Sequence, residues 1–296
     1  MDSVTLLGVG KMGAAFVDRW QAAGRPVVLW NRTASAAEAL AGDGVRVAPD
    51  AAAAAAASPI VVTMVTHGAA LHSVLLDQGA LAAMVPGAVL VDLSTVDVAS
   101  SEAIAVAASA AGIAYVRGAV SGTPPVVRGG NAALLLSGPA AAIAQAKPVL
   151  DELAPNHVTV GEAEEARIVK IGINSMLGGT MQMLAESVAM AEASGVPREV
   201  FLDAVDASVL GSRFMSYKGA ALRGRDYNPT FTTTDMKKDL TLATDQAASV
   251  GMSAPLAHIV LDQLGRAIDA GYGADDFLAL FCLQQQEAGQ SRDIER

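Results

Sequence analysis

The segment Gly8-Val9-Gly10-Lys11-Met12-Gly13 constrains the fold more than any other part of the chain. It closes an apolar run that begins at Val4, and it opens a helix-compatible stretch from Met12 to Ala23. Strand, glycine turn and helix in that order are the setting in which G-x-G-x-x-G has a physical meaning. The first glycine permits the tight turn, the second lets the backbone approach a pyrophosphate, and the third lets the helix pack on the strand. The helix N-terminus adds N–H donors and the positive end of a dipole. That setting weighs against the plainer reading of a glycine-rich turn without a ligand.

The rest of the first half repeats the pattern. Short apolar runs at residues 4–9, 26–30, 60–65, 88–93, 114–117 and 132–137 have strand length and β-branched content. Helix-compatible segments at 12–23, 35–41, 69–76, 100–111 and 140–153 lie between most of them. This alternation predicts an α/β fold, a Rossmann-type doubly wound sheet covered by helices on both faces. The pattern changes near Gly161. Residues 162–194 hold no proline and no strand-like run, and Gly195 and Pro197 end them. This predicts one long helix of roughly 45–50 Å at 1.5 Å per residue. Further helices are expected at 198–207, 234–249, 256–270 and 275–283, and the polar tail 284–296 is expected to fray. We therefore place a nucleotide-binding domain at 1–162 and an all-α domain for substrate and oligomerisation at 163–296.

Composition narrows the partners. The 296 residues carry 30 acidic against 20 basic side chains, a formal charge of −10, which argues against nucleic acid and anionic membranes. Although 52% of residues are hydrophobic, the longest charge-free stretch, 51–76, is broken by Ser58-Pro59, His67-Gly68 and His72, so it is not a membrane span. Met1-Asp2-Ser3 offers no basic segment, and no signal peptide is expected, which suggests a cytoplasmic protein. Cys282 stands alone, excluding an intramolecular disulfide, and it reads as core rather than nucleophile. His67 and His72 are five apart, and His157 and His258 have no nearby His or Cys, so no zinc site is expected.

At the end of the second strand stands Asn31-Arg32-Thr33. A site for NAD usually carries Asp or Glu here, on the ribose 2′-hydroxyl. Asn and Arg can instead donate to a 2′-phosphate, so the cofactor expected is NADP, with NADPH preferred over NADH. The alternative is a helix-capping turn, with Thr33 or Ser35 at the N-cap and Arg32 in solvent.

With these motifs in place the chain resembles the β-hydroxyacid dehydrogenase family, the group of 3-hydroxyisobutyrate dehydrogenases and glyoxylate/semialdehyde reductases. The resemblance covers nearly the whole length. It runs from the Gly-x-Gly-x-Met-Gly loop and Asn31-Arg32-Thr33 through Asp92-Leu93-Ser94-Thr95 and Val120-Ser121-Gly122, then Lys170 and Asn174, to Met236-Lys237-Lys238-Asp239-Leu240. It implies an active site in the cleft between two domains, and assembly into homodimers or homotetramers through the helical one. It also implies Lys170 as general acid or base at the carbonyl or hydroxyl oxygen, and Asn174 as its companion on the substrate. The Ser121-Gly122-Thr123 segment would bind the substrate's carboxylate. Val65, Thr66 and Thr95 would lie near the cofactor, and Lys238 would approach cofactor and substrate.

The residues support those roles independently. Lys170 and Asn174 stand at i and i+4, hence on one helix face, within the apolar stretch 168–176. Hydride transfer to a carbonyl leaves charge on oxygen, which a nearby ammonium stabilises and protonates; oxidation needs a neutral amine, hence a lowered lysine pKa. Read alone, Lys170 could equally be a snorkelling lysine, and Ser121-Gly122-Thr123-Pro124-Pro125 a proline-rich loop after a strand. Three departures from the family pattern surround the substrate end. Arg117 and Ala119 replace an acid and a proline, Thr123 replaces a glycine, and Gly161-Glu162-Ala163-Glu164-Glu165 replaces a glycine-rich approach to the lysine. Arg117 and Arg128 are read as surface arginines, the alternative being added positive charge for an acidic substrate. Met176, Met181, Met183 and Met190 are expected to pack the long helix against its neighbours. Two rival functions remain: an imine reductase, which generally lacks such a lysine, and a cofactor-binding module without turnover.

Overall fold

The computed structural model describes residues 1–294. The chain divides into two compact units, Met1–Lys170 and Ile171 onward. The first is built on eight strands: β1 Val4–Leu7, β2 Val27–Trp30, β3 Val45–Val47, β4 Ile60–Thr63, β5 Val89–Asp92, β6 Ala114–Ser121, β7 Ala133–Ser137 and β8 Asn156–Gly161. They form one sheet of order β3-β2-β1-β4-β5-β6-β7-β8, parallel throughout except for the β6–β7 pair. Its helices are α1 Lys11–Ala22, α2 Ala34–Glu38, α3 Ala51–Ala55, α4 Gly68–His72, α5 Ala80–Ala83, α6 Val98–Ala110, α7 Pro124–Arg128 and α8 Ala140–Leu153.

Alternation along the central strands builds two cores. Val4, Leu6, Val27, Leu29, Val62, Val89 and Val91 face one side, against Phe16, Trp20 and Leu150. Leu7, Val28, Val61 and Leu90 face the other, against Leu71, Leu75 and Ile104. A parallel sheet covered on both faces needs such continuous apolar strands. The chain leaves β3, at the far side of one wing, and re-enters as β4 on the opposite side of β1. The strand order therefore reverses at β1 and β4, which opens a crevice at their carboxyl ends.

The 29-residue helix α9, Glu165–Ala193, begins in the first unit and continues into the second. It is followed by α10 Arg198–Ala207, α11 Arg213–Gly224, α12 Thr233–Ser249, α13 Pro255–Ala267 and α14 Leu280–Glu287. Their core collects Met181, Leu184, Val188, Leu240, Leu264, Tyr272, Phe281 and Cys282.

Four expectations need correction. Met176, Met183 and Met190 are 72%, 54% and 64% exposed, and of the four methionines only Met181 packs inward. The three stand seven apart, so they repeat on one face of α9. Arg117 is buried, not a surface residue. The proline-rich turn is a short helix, α7, with Pro124 and Pro125 in its first turn, where a missing N–H costs nothing. The tail does not fray as a whole. The helix runs on to Glu287, and Asp293 accepts hydrogen bonds from Arg198 at 2.6 Å and Tyr227 at 2.7 Å. Residues 295–296 of that tail lie outside the described residues.

Candidate active site

Gly8 leaves β1 with a φ of +106°, and a Cβ there would stand 2.3 Å from the Met64 carbonyl oxygen. Gly13, in the first turn of α1, would place a Cβ 2.5 Å from the Gly8 carbonyl oxygen. Packing of the chain on itself thus demands both glycines. Gly10 differs: it is the exposed N-cap of α1, and nothing lies within 4 Å of a Cβ built on it. Open space at the one glycine that internal packing does not require suits a phosphate group approaching the backbone. The first turn of α1 carries no acidic residue to compete, and Lys11 stands exposed at its start, with Met12 half-buried behind it.

Asn31, beyond β2, ties two loops together. Its Oδ1 accepts from Val9 N–H at 2.9 Å, and its Nδ2 donates to the Thr33 carbonyl at 2.9 Å. The side chain expected to meet a ribose phosphate is therefore a staple between the glycine loop and the next turn. Arg32 beside it is exposed and makes no ion pair with any described residue. Thr33 is the N-cap of α2, with no side-chain capping bond.

Parallel pairing brings the remaining first-unit residues to the same edge of the sheet. Val65 and Thr66 follow the end of β4, Thr95 follows the end of β5, and Ser121 ends β6. Ser94 fastens two of these loops by accepting from Val65 N–H at 2.9 Å through Oγ. Asp92, fully buried, accepts from Thr63 Oγ1 at 2.7 Å and from Ser94 N–H at 3.0 Å. Gly122 has a φ of +150°, and Thr123 caps α7 without using its hydroxyl. Arg128 pairs with Asp18 at 2.6 Å on the surface. Arg117 lies 4.6 Å above the Tyr115 ring and donates to Glu164 at 2.8 Å, so neither arginine is free for a substrate.

Lys170 is half-buried, one turn and a half into α9, and closes the first unit. In the second unit Asn174 is buried, and its Nδ2 donates to Asp239 Oδ2 at 2.5 Å. The Lys238 ammonium stands 2.8 Å from the other oxygen, Asp239 Oδ1. Asp239 is thus the site residue that sequence reasoning did not single out. It lies 65 residues from Asn174, and its place inside the Lys-Asp-Leu motif was the available signal.

A switch-point crevice of this make defines a dinucleotide-binding protein of the Rossmann class. Comparison with known proteins carries this further. Residues 3–161 match the family model for the NAD binding domain of 6-phosphogluconate dehydrogenase, and residues 165–283 match that for the NAD-binding domain of NADP-dependent 3-hydroxyisobutyrate dehydrogenase. The chain belongs to the β-hydroxyacid dehydrogenase family, whose members are NAD(P)-dependent oxidoreductases acting on CH–OH groups. Glyoxylate/succinic semialdehyde reductase 1 of Arabidopsis thaliana is 27% identical, over 94% of this chain and 96% of its own. A structure of 3-hydroxyisobutyrate dehydrogenase from Mycobacterium tuberculosis with L-serine matches at TM-score 0.87 and 27% identity, covering 95% of this chain and 98% of that one. An imine reductase from Streptomyces aurantiacus matches at TM-score 0.65 and 27% identity, covering 95% and 99%. Among the described residues no helix is long and apolar enough to cross a membrane.

Proposed function

We propose that this protein is an NADPH-preferring oxidoreductase that interconverts a small β-hydroxy acid and its semialdehyde or keto form, with Lys170 as general acid and base. The observation that carries this reading is the common edge at which β1, β2, β4, β5 and β6 deliver the glycine loop, Arg32, Thr66, Thr95 and Ser121. Gly8, Gly10, Lys11, Met12 and Gly13 would hold the pyrophosphate, and Arg32, with Asn31 and Thr33 around it, the 2′-phosphate. Val65, Thr66 and Thr95 would line the nicotinamide side, with Lys238 approaching it. When bound, the nicotinamide supplies or takes up the hydride.

The chain's own residues manage the proton and the substrate. In reduction Lys170 donates its proton to the carbonyl oxygen as negative charge develops there; in oxidation the neutral amine accepts the hydroxyl proton. Ser121, Gly122 and Thr123 offer hydroxyl and backbone donors to a carboxylate. Asn174, oriented by Asp239, presents its amide to the substrate. With a formal charge of −10 the protein's overall field opposes both anionic ligands, so the first turn of α1, Lys11, Arg32, Lys170 and Lys238 must supply local positive potential.

The test is a kinetic panel of NADPH and NADH against glyoxylate, succinic and methylmalonic semialdehydes and a cyclic imine. Semialdehyde or glyoxylate reduction with NADPH is expected to dominate. Arg32→Ala should weaken NADPH about tenfold or more, the loss of one charged contact worth roughly 1.4 kcal/mol, and leave NADH nearly unchanged. Equal losses for both cofactors would remove the 2′-phosphate assignment, and a panel in which only the imine reacts would select the imine reductase reading.

We also propose that a second copy of the chain covers the exposed apolar face of Met176, Met183 and Met190 on α9 and Leu256 and Ile259 on α13. The α9 and α13 parts of this face adjoin, for Leu256 lies against Gly179. Contiguous apolar patches on a protein surface mark interfaces. Sedimentation should show a dimer or tetramer, and Met183→Glu should reduce its size; a wild-type monomer would end this proposal.

A further inference from the structure

Four charged side chains are buried together in the first unit, at the point where α9 meets the sheet. Arg167, 2% exposed, donates from Nη2 to Asp92 Oδ2 at 2.5 Å and to the Tyr115 hydroxyl at 2.7 Å. Its Nη1 donates to the Ser94 carbonyl at 2.9 Å, and its Nε lies 3.3 Å from Glu164 Oε2. Glu164 in turn accepts from Arg117 on β6. The signs alternate, Arg117, Glu164, Arg167, Asp92, so the cluster is neutral as a whole. Two of the departures from the family pattern, Arg117 and Glu164, are therefore partners of each other.

Burial opposes charge on Arg167, and Asp92 more than offsets it, so the guanidinium is held firmly protonated. Burial likewise pushes the Tyr115 phenol up, leaving a neutral hydroxyl. Such a cluster is costly to desolvate, and apolar residues of the same volume often stabilise as well. What apolar residues cannot supply is direction, and each contact here reaches a segment that carries a proposed functional residue. Asp92 and Ser94 lead to Thr95, and Ser94 also fixes Val65. Tyr115 and Arg117 lie on the strand that ends at Ser121. Arg167 itself stands one helical turn before Lys170. Ser137 completes the anchorage of that turn, accepting from Ala166 N–H at 3.2 Å and donating to the Ala163 carbonyl at 2.6 Å.

We propose that Arg167 is a positioning residue for the reaction: gripping Asp92, Ser94 and Tyr115 from the first turn of α9, it sets where Lys170 stands relative to the Thr95 loop and the Ser121 strand. This rests on the reading of Lys170 as the proton donor. Lysine at 167 retains the charge on Asp92 but cannot hold three acceptors in a planar fork.

The experiment compares full-length wild type, Arg167→Lys and Lys170→Ala with NADPH, 4-deuterated NADPH and succinic semialdehyde or glyoxylate. Arg167→Lys should lower kcat about 10- to 100-fold, the cost of misplacing a reacting group by an ångström or less. NADPH affinity, read by fluorescence titration, should stay within about threefold. The primary isotope effect on kcat should rise as hydride transfer becomes limiting, a readout that loss of stability alone does not move. A folded Arg167→Lys protein with kcat within about twofold of wild type would overturn the proposal. Should that variant fail to fold by circular dichroism, Tyr115→Phe takes its place, with the same pattern at a smaller amplitude expected and unchanged kcat decisive against it. Lys170→Ala separates the two readings. Full activity there removes the role of Lys170 itself, whereas its loss beside an active Arg167→Lys removes only the positioning.

Discussion

Lys170→Ala is expected to lower turnover with a semialdehyde or glyoxylate by about 10²- to 10⁴-fold, the range that a positioned general acid contributes. NADPH affinity should change little, because the glycine loop, Arg32 and the loops after β4 and β5 are separate from this side chain in sequence and in the proposed binding scheme. Stopped-flow measurement of NADPH oxidation under single-turnover conditions reads the chemical step directly. Lys170→Arg sharpens the result: it keeps a positive charge near the developing oxyanion but holds its proton too tightly to give it up at neutral pH. Recovery of most of the rate by arginine would mean that Lys170 acts by charge; a rate as low as that of alanine would mean that it transfers the proton. Near-full carbonyl reduction by the alanine variant would remove the assignment. Loss of aldehyde reduction with cyclic imine reduction preserved would point to the imine reductase reading, in which no proton donor is needed at an iminium carbon's partner atom.

How legible this arrangement was in the sequence depended on the range of the forces involved. The glycine loop was readable because its causes are local: Gly8 and Gly13 are required by atoms of the adjoining loop and strand, and Gly10 by none. The long central strands were readable because burial on both faces leaves an uninterrupted apolar run. Two strands were missed for the converse reason. Val45-Arg46-Val47 is three residues long with a charge at its centre, and Asn156–Gly161 is an exposed edge strand of mixed polarity. Helix Arg213–Gly224 also went unread, although Ser212 caps it through Met215 N–H and its Gly219 and Leu222 face inward. The exposed methionines show where helical periodicity stops: it tells which residues share a face, and says nothing of what covers that face. Pairings across distance were the least visible. Asn174 with Asp239, Arg117 with Glu164 and Arg167 with Asp92 join residues 47 to 75 apart, and no local pattern encodes them.

Asp276→Ala should destabilise the second unit by about 3–5 kcal/mol, the range for breaking a buried ion pair from one side. Asp276 is 2% exposed, and its Oδ1 accepts from the Lys218 ammonium at 2.6 Å and from Leu278 N–H at 3.0 Å. Its Oδ2 accepts from Thr230 N–H at 3.1 Å and Thr230 Oγ1 at 2.7 Å. One carboxylate thus closes the turn after α11, caps the short helix Phe277–Ala279 and neutralises a lysine that is 3% exposed and lies over the Phe277 ring. Removing it strands the Lys218 charge in an apolar setting and leaves buried donors without acceptors. Both tryptophans, Trp20 and Trp30, belong to the first unit, so far-UV circular dichroism in urea, rather than tryptophan fluorescence, should follow this loss. The pH dependence identifies its cause. Burial lowers the Lys218 pKa below its ordinary value, with Asp276 opposing that shift. Without Asp276 the depression deepens, so between the folded and unfolded pKa values the unfolded chain binds more protons than the folded one. Stability then rises with pH across that window, and the deficit of the variant should shrink as pH climbs from 7 toward the unfolded lysine value of about 10.4. The double variant Lys218→Met, Asp276→Leu should lose that pH dependence and recover part of the stability, because it removes the stranded charge but still leaves the Thr230 and Leu278 donors unmet. A deficit in Asp276→Ala that is constant from pH 7 to 10 would assign the effect to the lost hydrogen bonds instead of to the buried ammonium.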